Sequence, residues 1–153
     1  MIALIQRTDG AYVKVDGKIV GEIDGGLAVF LGVFEKDGEA ECDFLARKIA
    51  NLRVFCDEND KMNLSLLDIG GSVLSISNFT LCANARKGNR PSYDEAMRPE
   101  GANALYERFC EKLSENGVKK VDKGIFGAEM KVLVSNDGPI SIVLDTDKIM
   151  AKK

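Results

Sequence analysis

Apolar and polar residues alternate along much of this chain at the two-residue period of a half-buried strand, and two stretches switch to a helical period. Residues 1–6 form a short apolar run that predicts a first strand. Ala11-Tyr12-Val13-Lys14-Val15 alternates, Asp16-Gly17 carries a hairpin signal, and Lys18-Ile19-Val20-Gly21-Glu22-Ile23 returns as the partner. After Gly25-Gly26, residues 27–34 are continuously apolar, the pattern of a strand buried on both faces. Cys42, Leu45, Ile49 and Leu52 share one face and predict a helix over 39–53. Residues 72–76 are another candidate strand, running into Ser77-Asn78-Phe79-Thr80-Leu81. Beyond a polar loop at 86–92, Ala102, Leu105, Phe109 and Leu113 line one face of a second helix, over 99–116. Pro99 suits its first turn and Gly117 its stop. Two late strands, 130–135 and 140–144, are joined by Asn136-Asp137-Gly138-Pro139.

The chain holds no internal repeat, low-complexity tract or linker, so one domain over 1–144 is expected, with a polar tail over 145–153. Strands outnumber helices. The layout is α+β: a strand-rich single domain whose antiparallel or mixed sheet curls into a barrel-like form, with two main helices.

Composition narrows the function classes. No apolar run approaches the roughly 18 residues of a membrane span. The opening run is too short for a signal peptide's apolar region, so a cytoplasmic protein is expected. Cys42, Cys56, Cys82 and Cys110 are scattered without a C-x-x-C pair and read as reduced thiols, mostly core fillers. A net charge of -3 argues against a broadly basic nucleic-acid binder. It leaves room for local patches: Arg86, Lys87, Arg90 and Arg98; Lys119, Lys120 and Lys123; Lys148, Lys152 and Lys153. Solvated surface is the blander account of each.

Histidine is absent. Ser-His-Asp and Cys-His catalysis and H-E-x-x-H zinc sites are thereby excluded. Any acid-base chemistry must come from carboxylates, hydroxyls, backbone amides, water or the substrate itself. No cofactor and no metal is expected, since Gly25-Gly26, Gly70-Gly71 and Gly124 with Gly127 lack phosphate-loop spacing. Asp57, Glu58, Asp60 and Asp68 likewise lack calcium-loop spacing.

Two segments interrupt the strand patterns with residue types that chemistry favours. Ser77, Asn78, Phe79 and Thr80 offer two hydroxyls, an amide and a run of backbone N–H groups suited to an oxyanion hole. The plain alternative is a strand in which Ser and Thr are only β-formers. Asn136-Asp137-Gly138-Pro139-Ile140-Ser141 reads first as a hairpin turn, although a Gly-Pro dipeptide opening a strand is unusually constrained.

Taken together these segments resemble the D-aminoacyl-tRNA deacylase family. Met1-Ile2-Ala3-Leu4-Ile5-Gln6-Arg7 is similar to its N-terminal strand. Lys61-Met62-Asn63-Leu64, Gly70-Gly71-Ser72-Val73-Leu74, Arg90-Pro91-Ser92-Tyr93 and Gly127-Ala128-Glu129-Met130 follow in the family's order. The family's Ser-Gln-x-Thr signature is met by Ser77-Asn78-Phe79-Thr80, with Asn78 in place of glutamine. Its Asn-x-Gly-Pro-x-Thr signature is met by Asn136, Gly138, Pro139 and Ser141, with serine in place of threonine. The resemblance runs from residue 1 to about 144.

It implies a cytoplasmic homodimeric hydrolase with the family's fold and active sites at the subunit interface. Such an enzyme binds the acceptor end of D-aminoacyl-tRNA and splits its ester, as proofreading in translation quality control. A cis Gly138-Pro139 peptide from one subunit would reach into the other's site and exclude L side chains by backbone alone, so glycyl-tRNA would be cleaved too. Arg7 would hold that loop, with Asn136 beside it. The amides near Phe79 and Thr80 would take the oxyanion while the substrate's ribose hydroxyl helps to activate water, leaving Thr80 a positioner rather than a nucleophile. Two rivals stay open: an editing hydrolase of relaxed chirality, and a non-catalytic module binding tRNA ends or nucleotides.

Overall fold

The N-terminal alternation builds one strand where two were expected. In a computed structural model that describes residues 1–151, β1 runs unbroken from Ile2–Val15. The polar stretch Thr8-Asp9-Gly10 is a bulge, where two residues of β1 advance against one of its partner. The extra residue reverses the alternation. Ala3 and Ile5 before it face the helices, and Ala11 and Val13 beyond it face a second, smaller cluster. Thr8 is buried and settles the bulge: its Oγ accepts from Gly10 N–H (3.0 Å) and lies 2.7 Å from both Gly10 O and Ser135 O.

On one side, β1 pairs antiparallel with β2 (Lys18–Ile23) through its second half and with β3 (Gly26–Gly32) through its first. β3 is buried almost throughout, because it lies between β1 and the parallel β6 (Ser72–Ser77). β7 (Val121–Lys123) extends the sheet parallel to β6. The sheet then curls until β2 meets β7: Glu22 N–H donates to Asp122 Oδ2 at 2.8 Å. Gly21 permits this approach, since a Cβ there would stand 2.7 Å from Lys123 O. The result is the nearly closed mixed sheet of an α+β domain. A separate hairpin, β4 (Arg53–Cys56) with β5 (Met62–Ser65), and a short helix α2 (Leu66–Ile69) were not read from the pattern.

The two main helices pack on the sheet's outer face. α1 (Glu39–Asn51) buries Cys42, Leu45, Ala46, Ile49 and Ala50, and Glu41 Oε2 accepts the Gly38 N–H at its start. α3 (Pro99–Glu115) buries Ala102, Tyr106, Phe109, Cys110 and Leu113. Tyr106 carries its hydroxyl to Ser75 O (2.7 Å), which ties α3 to β6. An Arg108–Asp43 pair joins the helices (2.8 Å).

β8 (Lys131–Asp145) pairs with β1 over nearly its whole length. No described strand pairs with its other edge. The expected polar tail begins differently: Asp145 ends β8, and Thr146–Ile149 form a short helix, α4, with Thr146 buried. Thr146 Oγ and Asp37 Oδ1 receive the buried Met1 ammonium at 2.7 and 2.6 Å. Lys152 and Lys153, part of one candidate basic patch, lie outside the described residues.

Candidate active site

β6 ends at Ser77, and the chain then turns sharply. Asn78 adopts φ -145°, ψ 89°, its N–H donates to Leu31 O (2.8 Å), and a 3-10 turn spans Phe79–Cys82. The opening N–H groups of such a turn have no acceptor within it. Leu81 N–H bonds back to Asn78 O, whereas no described backbone carbonyl receives Phe79 or Thr80 N–H. The segment read as a strand end therefore presents two adjacent free amide donors. Thr80 Oγ donates to Asn78 Oδ1 (2.5 Å), so the asparagine that replaces the family's glutamine orients this hydroxyl. An amide oxygen orients a hydroxyl but cannot take its proton at neutral pH.

Ser77, Asn78 and Phe79 line a cavity of about 680 Å³. Its walls are mainly apolar, with Phe30, Ile76, Phe126 and Met130 among them. Phe79 is 57% exposed, and its ring packs edge-on against Tyr93, centroids 5.1 Å apart, at the rim. The ionisable side chains in this lining are Tyr93 and Arg98; no carboxylate, thiol or lysine contributes. Cys82 ends the turn, but burial pushes its thiol up to about 11, far from thiolate chemistry. Cys42, driven to about 12 by desolvation, is a core residue as the pattern suggested, and Cys56 is exposed. Among the described residues no group of three or more Cys, Asp or Glu is placed to hold a metal ion.

The second segment is not a hairpin turn. Residues on both sides of it pair with the same strand: Ser141 faces Gln6 and Asn136 faces Thr8. Residues 137–140 thus form an excursion from one long strand, opposite Arg7 alone. Arg7 holds it from below. Its Nε donates to Asp137 O (3.0 Å) and lies 3.4 Å from Asp137 Oδ2, and its Nη1 donates to Val54 O (2.9 Å). Asn136 closes the excursion by accepting Ile140 N–H (2.8 Å) and donating to Ser141 Oγ (3.0 Å), which also accepts from Gln6 (3.2 Å). Serine at 141 keeps the oxygen this network needs. The Gly138-Pro139 bond is cis, and both residues are exposed. At φ 137°, Gly138 occupies backbone space that side-chain-bearing residues rarely enter.

The structure brings Ser77, Asn78 and Phe79 together at the cavity and sets Thr80 beside them, exposed. It brings Arg7, Asn136, Gly138 and Pro139 together in the clamped excursion. It does not bring the two groups together within one chain, since no residue of 136–141 lines the cavity. Pattern reading missed Tyr93, Arg98 and Phe126 as lining residues. Only an aromatic placed inside a polar loop hinted at the first.

A family model described as D-Tyr-tRNA(Tyr) deacylase matches residues 4–145. A D-aminoacyl-tRNA deacylase of Persephonella marina is 53% identical over 146 residues, covering 95% of this chain and 98% of its own length. Its counterpart in Aquifex aeolicus is 50% identical over 149 residues, covering 97% and 100%. The solved structure of a c-Myc DNA Unwinding Element Binding Protein superposes with a TM-score of 0.90 at 39% identity, covering 95% of this chain and 98% of that one. A second structure, described as "a probable eukaryotic D-amino acid tRNA deacylase", has a TM-score of 0.82 at 15% identity, covering 94% and 97%, and is a likeness of fold.

Proposed function

The chain belongs to the D-Tyr-tRNA(Tyr) deacylase family, and from that premise we propose how it works as a D-aminoacyl-tRNA deacylase. It hydrolyses the ester joining a D-amino acid, or glycine, to the terminal ribose of tRNA. Water attacks the ester carbonyl, the ribose oxygen leaves with a proton, and free amino acid and tRNA result.

The observation that carries this reading is a cavity edged by two free amides and lined by no side-chain base. Fixed donors stabilise the oxyanion of an acyl transfer without titrating. An aminoacyl ester is already activated, and its neighbouring ribose hydroxyl is held beside the reacting carbonyl, so the substrate supplies the proton relay. Thr80 stays a positioner: its hydroxyl donates to Asn78 Oδ1, an amide oxygen that cannot take its proton, and no carboxylate, thiol or lysine lines the neighbouring cavity.

The separation of cavity and excursion supports a homodimer in which each copy's Gly138-Pro139 loop completes the other's site. The open edge of β8 and its exposed Leu133 and Val143 agree with a pairing surface there. The exposed loop backbone then serves as the chirality filter. A wall made of backbone excludes a side chain of L configuration, accepts many D side chains and has nothing to exclude on glycine. The setting is translation quality control in the cytoplasm.

Incubation with D-tyrosyl-, L-tyrosyl- and glycyl-tRNA tests the reading. Loss of the D and glycyl esters with survival of the L ester is expected. Equal loss of D and L would indicate a relaxed editing hydrolase, and three intact esters at high enzyme a binding module. Thr80→Ala should retain turnover; its complete loss, with an acyl-enzyme trapped in the wild type, defeats the positioner role.

A further inference from the structure

We infer that the loop of residues 84–92 grips phosphates of the single-stranded acceptor end of tRNA, with Arg86, Lys87 and Arg90 as the contacts and Arg98 continuing them to the cavity rim. The inference rests on the function proposed above and deepens it.

The first ground is charge in place. The loop carries three cations and no acid in a chain of net charge -3. Arg86, Lys87 and Arg90 are exposed, and none of the ion pairs among the described residues involves them or Arg98. Other cations are already committed: Lys123 to Glu107, Lys112 to Glu115, Lys36 to Asp147 and Arg108 to Asp43.

The second ground is position. The loop leaves the site just after the Phe79–Cys82 turn and returns at Tyr93, whose ring contacts Phe79 at the cavity rim. Asn84 and Ser92 exchange two backbone hydrogen bonds (2.8 and 2.9 Å) that close its base. Asn84 Oδ1 takes the Arg86 N–H (3.0 Å), and Gly88 turns the tip at φ 61°. Arg90 lies three residues from Tyr93, so their Cα atoms are within about 11 Å. Arg98 lines the cavity itself at the start of α3. The acidic Asp94 and Glu95 come after the closed base, in the strap that Phe34 and Ala96 pin to the domain.

The rival patch fails on place. Lys119 and Lys120 adjoin the start of β7, beside Val73 at the far end of β6. Ser77 lies four residue steps along β6 from Val73, roughly 13 Å. A strand whose last nucleotide lies in the cavity must pass the rim, where exposed aromatics next to cations suit unpaired bases and phosphates.

The test replaces Arg86, Lys87 and Arg90 together by glutamine. A single-strand phosphate contact contributes about -0.7 to the slope of log K against log salt, so three contribute about -2. Affinity for uncharged tRNA between 50 and 200 mM salt should thus fall roughly twentyfold less steeply in the variant than in the wild type. KM for D-tyrosyl-tRNA should rise about tenfold or more at low salt, with kcat kept. D-tyrosyl-adenosine, which lacks those phosphates, should be cleaved at the wild-type rate, and Lys119→Gln with Lys120→Gln should change none of these. An unaltered salt slope and KM overturns the inference. So does an equal loss on D-tyrosyl-adenosine, which would place the loop's effect in the site itself. Wild-type protein inert on both esters would instead refute the proposed function, and this inference with it.

Discussion

Replacing Arg7 by alanine removes the side chain that grips the excursion's backbone from beneath. Arg7 is 12% exposed and donates at 3.0 Å to Asp137 O and at 2.9 Å to Val54 O. Hydrogen bonds to a charged group are worth about 1.5–3 kcal/mol each. Asp137 stands half in water, so the low end applies, and the two bonds come to about 3 kcal/mol. The Val54 bond aims the guanidinium and the Asp137 bond transmits the hold, so roughly half to all of that sum bears on the loop. At about 1.4 kcal/mol per tenfold, kcat/KM for D-tyrosyl-tRNA should fall between tenfold and a hundredfold. The D-over-L ratio should fall with it. The melting temperature should drop by at most about 6–12 °C, the shift that 3 kcal/mol gives a domain of this size, and by less where the loop relaxes locally. Arg7→Lys should not rescue, since one ammonium on a flexible stem cannot serve both carbonyls with the fork's geometry. Initial rates measured well below the melting temperature decide the matter. A kcat/KM within twofold of the wild type would refute the clamp.

Three further outcomes are expected. Phe79→Pro deletes the amide donor at a position where proline's φ suits the turn, and should lower kcat by 10²–10³-fold, about the value of one oxyanion donor. Phe79→Ala keeps the N–H and should leave kcat nearly intact, so steady-state kinetics of the pair separates amide from ring. Gly21→Val should destabilise the domain by about 1–3 kcal/mol in urea unfolding, because a Cβ would stand 2.7 Å from Lys123 O where the sheet closes. Asp43 has its carboxyl held below its ordinary value, chiefly by the Arg108 hydrogen bond. Its stabilisation is therefore present above about pH 4 and lost as pH falls through its lowered folded value. Asp43→Asn should flatten that acid limb of stability and leave activity at neutral pH unchanged.

What pattern reading recovered follows from periodicity. Both main helices, the hairpin at Asp16-Gly17 and the doubly buried β3 announce themselves because burial on one face or two writes directly into residue order. The polar runs misled it. Thr8-Asp9-Gly10 and Asn136-Asp137-Gly138-Pro139 have the composition of breaks, yet both sit inside long strands. They stay there because a buried threonine in one case and Arg7 in the other satisfy the displaced backbone from afar, while Asn136 closes the second locally. Thr8 and Ser135, like Arg7 and Asp137, lie more than 100 residues apart, beyond any local signal. The site residues themselves were found through family signatures, since Ser77 to Thr80 alone read as an ordinary strand end. Their free amides became visible only with the 3-10 turn. Asn78 is the instructive departure: its shorter amide still reaches an internal partner, Thr80.

The central claim is that one copy's cavity works with the other copy's loop, and subunit mixing tests it most directly. Phe79→Pro spoils the cavity and spares the loop. Gly138→Ala spoils the loop, where a Cβ would meet Ile140 N at 3.0 Å, and spares the cavity. Each variant alone should be nearly inactive on D-tyrosyl-tRNA. After co-refolding in equal amounts, half the dimers are mixed and each mixed dimer holds one intact site of two, so about a quarter of wild-type turnover should return. Turnover that stays at the level of the separate variants, in samples proven to contain mixed dimers, would contradict the shared site.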